Sequence, residues 1–318
     1  MFRFKVDNAG FQSFIFHGKP AFLYLSYDLE GVVKMDLNYM NVLNSLDSFI
    51  WGPPLLVLLV GTGILLTIRL KLLQVFKLPK ALKLIFKAQN AGSGDIDSFK
   101  ALCTALSATV GTGNIVGVAT AIAAGGPGAI FWMWLAAFFG MATKYAEGLL
   151  AVKYREVDAK GEIAGGPMFY IKNGMGEKYK WLGTLFAIFG VLVAYFGIGT
   201  FAQVNSIVDI TKMTIGLDPM WTAVILTVLV AAITLGGLQS IAAAASKIVP
   251  AMAVIYFIST IGVLIFFADK IPGAVETIIS NAFTGSAAAG GFLGSTMIMA
   301  MRNGIARGVF SNESGLGS

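Results

Sequence analysis

Apolar residues gather in blocks about as long as a membrane helix, with polar and basic residues collected between them. The blocks cover 48–68, 102–124, 128–152, 181–208, 220–235, 248–268 and 292 onward. A helix needs roughly 20 apolar residues to cross about 30 Å of hydrocarbon, and longer ones tilt or extend beyond it. Seven spans are therefore expected, with 220–235 marginal alone and dependent on its neighbours.

The second block carries an interruption. Between Ala105 and Ala124, otherwise one continuous apolar run, stand Gly111, Thr112, Gly113 and Asn114. Glycines weaken a helix, and hydrocarbon holds no water for a backbone group that comes unpaired, so a break at that depth faces a cavity or a bound ligand. Half-helices meeting at the midplane build the substrate and ion sites of many secondary transporters. The same residues fail as a dinucleotide-binding loop. Counted to Gly117, the glycine spacing is one residue too long, no strand-turn-helix unit surrounds it, and 131–138 is wholly apolar where an acidic residue is required. Small residues allowing close helix packing remain compatible with the break.

Lysine and arginine placement sets orientation. Arg69, Lys71, Lys77, Lys80, Lys83, Lys87 and Lys100 follow the first block, and Lys153, Arg155, Lys160, Lys172, Lys178 and Lys180 follow the third. Both loops are expected in the cytoplasm. The connections on the other side hold no basic residue at 125–127, then Lys212 and Lys270. Within the first basic loop, 72–88 mixes apolar residues with Lys77, Lys80, Lys83 and Lys87, a pattern that lies along the inner leaflet, with Pro79 interrupting any continuous helix. A solvated loop is the alternative.

Residues 1–40 differ in character: they hold no span-length apolar run and no signal-peptide pattern, and are expected to be a non-native or disordered N-terminal extension. Residues 41–318 form the membrane domain on this reading.

Composition narrows the function classes. Of the 318 residues 56% are hydrophobic and 13% charged, against about 25% charged in soluble chains. The net charge of +6 therefore calls for a location at the lipid surface and not for a nucleic-acid partner. One cysteine, Cys103, and one histidine, His17, leave no disulfide framework, no Cys- or His-based metal centre and no catalytic triad. Enzymatic chemistry is not expected.

Gly125-Gly126-Pro127-Gly128-Ala129-Ile130-Phe131-Trp132-Met133-Trp134-Leu135, continuing to Gly140-Met141, resembles the signature of the alanine or glycine:cation symporter family, the sodium:alanine symporters. Val110 to Asn114 resembles the unwound first core helix of the leucine-transporter fold, and Asn312-Glu313-Ser314-Gly315-Leu316-Gly317 the family's second broken helix. The resemblance covers about 41–318, which it implies is a partial transporter membrane domain. It implies an all-α polytopic membrane protein of the leucine-transporter inverted-repeat type. The block at 48–68 becomes an extra leading helix, the spans from 102 the first five-helix repeat, and 292 the start of core helix six. Core helices seven to ten are expected to lie beyond Ser318, which leaves the fold incomplete. The implied function is symport of sodium and a small neutral amino acid (alanine, or else glycine or serine) across the cell membrane by alternating access, with sodium as coupling ion and no organic cofactor; a proton-coupled amino acid carrier, or an inactive fragment or membrane scaffold, is the alternative.

Candidate site residues follow from the break and from the resemblance together. Asn114 offers a side-chain carbonyl to sodium or to the substrate, hard cations preferring oxygen; an interhelical hydrogen bond is the other reading. Thr112 offers hydroxyl and amide to a carboxylate, and Gly113 opens backbone groups. Ser107, Thr109 and Val110 supply oxygens on the cytoplasmic side of the break, Val110 through its carbonyl, although hydroxyls also bond their own helix. Gln203 is an amide among Phe201, Ala202 and Val204, placed where the implied third core helix passes the substrate. Phe310, Ser311 and Asn312 provide an aromatic lid and polar groups. Glu313, an ionisable group at membrane depth, carries a functional or network role, with Arg302 and Arg307 as nearby partners. Lys144, Tyr145 and Glu147 read as interfacial and structural, and Trp132 and Trp134 as packing or an aromatic belt.

Overall fold

The computed structural model describes residues 37–85, 96–157, 161–196, 200–284 and 297–317. Most of the expected extension at 1–40, the end of the basic segment at 86–88, and the start of the last block at 292–296 lie outside these residues. The helices are α1 (Leu37–Ile50), α2 (Pro53–Arg69), α3 (Leu73–Phe76), α4 (Leu78–Ile85), α5 (Ser98–Thr109), α6 (Val116–Gly125), α7 (Gly128–Lys153), α8 (Pro167–Met175), α9 (Lys180–Phe196), α10 (Thr200–Ile215), α11 (Pro219–Thr234), α12 (Gly237–Phe266), α13 (Ile271–Thr284) and α14 (Met297–Asn312).

Several boundaries differ from the apolar blocks for local reasons. The first block divides at Trp51-Gly52, because α2 starts on Pro53-Pro54, whose missing N–H groups cost nothing in a first helical turn. Pro79 likewise sits in the first turn of α4 and starts that helix, while the basic segment divides at Lys77. The block at 248–268 is the second part of α12, which begins at Gly237. Gln239, Ser240, Ser246 and Lys247 hide its start from an apolar count, while the run Ala242 to Ala245 favours helix. The chain is not purely helical: strands β1 (Glu156–Val157) and β2 (Ile163–Ala164) pair antiparallel, Glu156 with Ala164.

Among the described residues, α7, α12 and the stretch 177–215 are long and apolar enough to cross a membrane. The pair α5 and α6, bent by 61°, makes a fourth if taken as one span, and α2 and α11 are apolar but shorter. The last expected span is not among them, since α14 is 16 residues and carries Arg302 and Arg307.

Burial is inverted relative to a water-soluble core. The buried hydrophobic residues are mostly alanine, including Ala129, Ala136, Ala142, Ala242, Ala282 and Ala300, while Phe189, Phe257, Ile265 and many other large side chains are exposed. Small residues at helix contacts with large ones outward is how helices pack when the surroundings are as apolar as leucine. Two clusters organise the packing. Cys103, Ala245 and Val249 join α5 to α12, and Ala136, Ile305 and Val309 join α7 to α14, with Leu56, Leu59 and Val60 of α2 against them.

Glycines set how closely α14 approaches. A side chain at Gly304 would overlap the Ala129 carbonyl, and one at Gly308 would come within 3.4 Å of Met133 Cα. The pairing of 304 with 129 and 308 with 133 makes α14 run parallel to α7. Arg307 lies at Gly117 and Ala300 at Gly125, so the same helix runs antiparallel to α6. Trp132 donates from Nε1 to the Ala282 carbonyl at 3.1 Å and packs on Phe131 and Phe283. Of the two tryptophans in the signature segment, Trp132 thus seats α7 against α13, while Trp134 is exposed.

Candidate functional site

The break is built from its own side chains. Asp97 caps the start of α5 by accepting the Lys100 N–H at 2.8 Å. At the other end Val110 turns extended, with φ −97° and ψ 101°, its N–H closing the helix on Leu106. The next N–H, of Gly111, would continue the helix by bonding the Ser107 carbonyl. It is instead held by Asn114 Oδ1 at 3.1 Å, while the Asn114 N–H bonds the Gly111 carbonyl at 3.0 Å. Thr112 to Asn114 form one turn of 3-10 helix, and Ile115 leads into α6.

This leaves two helix ends facing one gap. The last carbonyls of α5 lack helical partners and make a partly negative pole; the first N–H groups of α6 make a partly positive one. A cation is favoured at the former and a carboxylate at the latter.

The expected ion ligands sit at the negative pole with their hydroxyl protons already placed. Thr109 Oγ1 donates to Ala105 O at 3.2 Å, and Ser107 Oγ to Thr104 O at 2.6 Å. Each hydroxyl oxygen keeps acceptor capacity in that arrangement. Val110 contributes its carbonyl at the point where the chain leaves the helix.

Two further elements reach the break. Gln203 on α10 lies against Gly111, its Oε1 3.2 Å from where a β-carbon there would stand. Arg307 on α14 donates from Nε to the Gly113 carbonyl at 3.0 Å and from Nη2 to the same oxygen. Its guanidinium stacks over the Phe310 ring, 5.1 Å from the centroid, and Phe310 in turn meets Trp51 at 6.4 Å between centroids. Arg307 therefore joins the break to Phe310, and sequence reasoning had placed it only as a neighbour of Glu313.

Ser311 lies half-buried in the last turn of α14. Asn312 is engaged with its own chain end: Oδ1 accepts the Ser314 N–H at 2.9 Å, and Nδ2 lies beside Gly140 of α7. Beyond it Glu313, Gly315 and Gly317 take positive φ of 53°, 89° and 81°. This turn packs along one stripe of α7. Ser314 sits on Gly140, Gly315 on Thr143, and the Gly317 N–H donates to Glu147 Oε1 at 3.0 Å. Among the described residues no group of three or more His, Cys, Asp or Glu is placed to hold a metal ion. At the break the oxygens are amides, hydroxyls and carbonyls, a donor set suited to a hard cation.

A model of the sodium:alanine symporter family matches residues 36–318. The chain belongs to that family. Members of the sodium:alanine symporter family are transporters, not enzymes, and the apolar helices above fit a multi-pass membrane protein. An uncharacterised transporter of Haemophilus influenzae is 56% identical over 87% of this chain and 60% of its own length. The sodium/alanine symporter AgcS of Methanococcus maripaludis is 51% identical over 89% of this chain and 62% of its own. The probable sodium/glutamine symporter GlnT of Bacillus subtilis is 38% identical over 86% and 55%. The chain thus spans about three fifths of the length of the curated relatives it matches.

Proposed function

We propose that the complete protein couples sodium to the uptake of a small neutral amino acid, alternating access around the break between α5 and α6. The observation that carries this is the break itself: an apolar helix pair bent by 61°, with Asn114 closing the turn and Gln203 and Arg307 converging on it. Sodium binds at the α5 end through Thr109, the Val110 carbonyl and Asn114. The amino acid binds across Thr112, Gly113 and Asn114, with Gln203 on one side and Phe310, Ser311 and Asn312 on the other. Asn114 Oδ1 holds one N–H and keeps a second lone pair for a ligand.

The parallel course of α14 and α7, and the antiparallel course of α14 and α6, support the inverted-repeat arrangement of the leucine-transporter fold. On this reading the basic loops at 69–100 and 153–180 face the cytoplasm of the cell, and helices of the second repeat complete the sodium site. One charge moving down 100 mV releases about 2.3 kcal/mol, enough for roughly a fifty-fold concentration ratio at 1.4 kcal/mol per tenfold. Alanine is favoured over a longer substrate by the 51% identity to AgcS against 38% to GlnT.

The test is uptake of labelled alanine by the full-length protein with and without Asn114→Ala. Sodium-dependent uptake is expected to vanish while the protein reaches the membrane in normal amount. Wild-type uptake in the variant would remove Asn114 from the site, and uptake unchanged when choline replaces sodium would exclude sodium coupling and favour a proton-coupled carrier.

A further inference from the structure

Arg307 places a charge deep in a helix packed against both α6 and α7, and among the described residues no carboxylate forms an ion pair with it. An ionic group in that setting costs free energy and persists where it has a task. Its contacts define the task. The donors close on the carbonyl of Gly113, a group freed from helical bonding by the break, and the planar face rests on Phe310. Charge-assisted donors are the stronger class of hydrogen bond, and guanidinium stacks on aromatic rings in a way an ammonium does not.

The break is shaped to receive it. Gly113 and Gly117 lie four residues apart, and a β-carbon at Gly113 would stand 2.5 Å from Nη2 while one at Gly117 would overlap the guanidinium carbon. Without side chains at these two positions, the guanidinium lies directly on backbone.

We propose that Arg307 is a positioning residue that pins the helix break to α14. Through it the Gly113 carbonyl, the Phe310 ring and the Trp51 joint between α1 and α2 move as one unit, so the substrate face of the break keeps its geometry while the gap opens and closes. This rests on the functional reading above for its purpose and on the contacts alone for its existence.

The two are separable in one experiment on the full-length protein in membranes. A cysteine is introduced by Val116→Cys at the exposed start of α6, and its maleimide labelling rate is compared with the background lacking that substitution, without substrate. Arg307→Ala is expected to speed labelling about tenfold, and Gly117→Ala to do the same by expelling the guanidinium. The double variant should label no faster than either single one, since both remove the same contact. Arg307→Lys, which keeps charge but not the paired donors or the stacking, should fall between. Unchanged labelling in Arg307→Ala, or effects that multiply in the double variant, overturns the proposal. If Arg307→Ala fails to reach the membrane, Gly117→Ala and Arg307→Lys still decide it. Sodium-driven alanine uptake by the parent is measured in parallel: its absence refutes the transport reading and leaves the labelling result standing.

Discussion

The chain leaves helical geometry at 110–115 and again at 313–317, and the two turns are held in different proportions by hydrogen bonds and by shape. The first is held by polar side chains: Asn114 bonds its own loop, and Arg307 and Gln203 reach in from other helices. Backbone conformation here is ordinary, since none of residues 110–115 has positive φ. The second is held chiefly by shape, with the Ser314 and Gly317 N–H groups bonded to Asn312 and Glu147 beside it. Three residues take positive φ, and the turn is pressed onto α7, α2 and α9. Truncating a side chain at the first turn strikes its contacts and its candidate ligands, whereas adding one at the second strikes left-handed backbone and packing. Substitutions should therefore separate transport from stability according to the turn they strike.

Gly317→Ala should have the largest effect on stability. At φ 81° a β-carbon is strained, and it would stand 2.5 Å from Pro167 and 2.7 Å from Phe186. The left-handed conformation costs a non-glycine residue about 1–2 kcal/mol, and overpacking a further 1–3 kcal/mol or so. The thermal midpoint of the detergent-solubilised protein should fall clearly below that of Asn114→Ala. The latter loses one cap-type hydrogen bond, about 1 kcal/mol, yet is the variant expected to lose uptake. Equal midpoints for the two variants would erase the distinction between the turns.

Glu147 offers an intermediate case at the second turn. Its Oε1 receives the Gly317 N–H, and its Oε2 is buried without a hydrogen-bond partner. Glu147→Gln retains an acceptor oxygen for that N–H, so its midpoint should match the parent's. Glu147→Ala leaves the N–H unpaired in a half-buried place, about 1 kcal/mol. A Gln variant as unstable as the Ala variant would show that the charge, not the hydrogen bond, holds the turn.

The first turn was the more legible of the two in sequence. Glycines inside an apolar run announce a break, but Asn114 reads from sequence as a ligand or an interhelical partner, and its bond back to the Gly111 N–H emerges only in the structure. Gln203 stands out as a lone amide in an apolar neighbourhood, and only the family resemblance places it near the substrate; the structure sets it against Gly111. Arg307 escaped because its partner is a backbone carbonyl 194 residues away, and a sequence displays side chains without displaying which carbonyls a break sets free. The spacing of Gly113 and Gly117 was the available signal, and it reads equally as helix packing. At the level of the fold, apolar length found α7 and α11 to within a residue at each end, and the α5–α6 pair apart from its first turn at 98–101. It missed the first turns of α12, where polar Gln239 and Lys247 sit on a helix that alanines sustain, and it had no means of seeing the two-residue strand pair.

Gly111→Ala should have the smallest effect, although Gly111 lies in the middle of the break. With φ −149° and ψ −162° its backbone is extended, a conformation open to any residue. The nearest atoms to an added methyl are those of the Gln203 amide, at 3.2–3.3 Å, the far end of a side chain that shifts by rotation about its own bonds. The Gly111 N–H that Asn114 holds is untouched. Stability should stay within about 0.5 kcal/mol of the parent, as for substitutions that disturb no packing or hydrogen bond. Displacing the Gln203 amide should nonetheless raise the half-saturating alanine concentration while leaving that for sodium unchanged, because Gln203 is assigned to the substrate and not to the ion. A rise in both would mean that Gln203 supports the whole turn, and a loss of stability near that of Gly317→Ala would mean that the first turn, too, is held by shape.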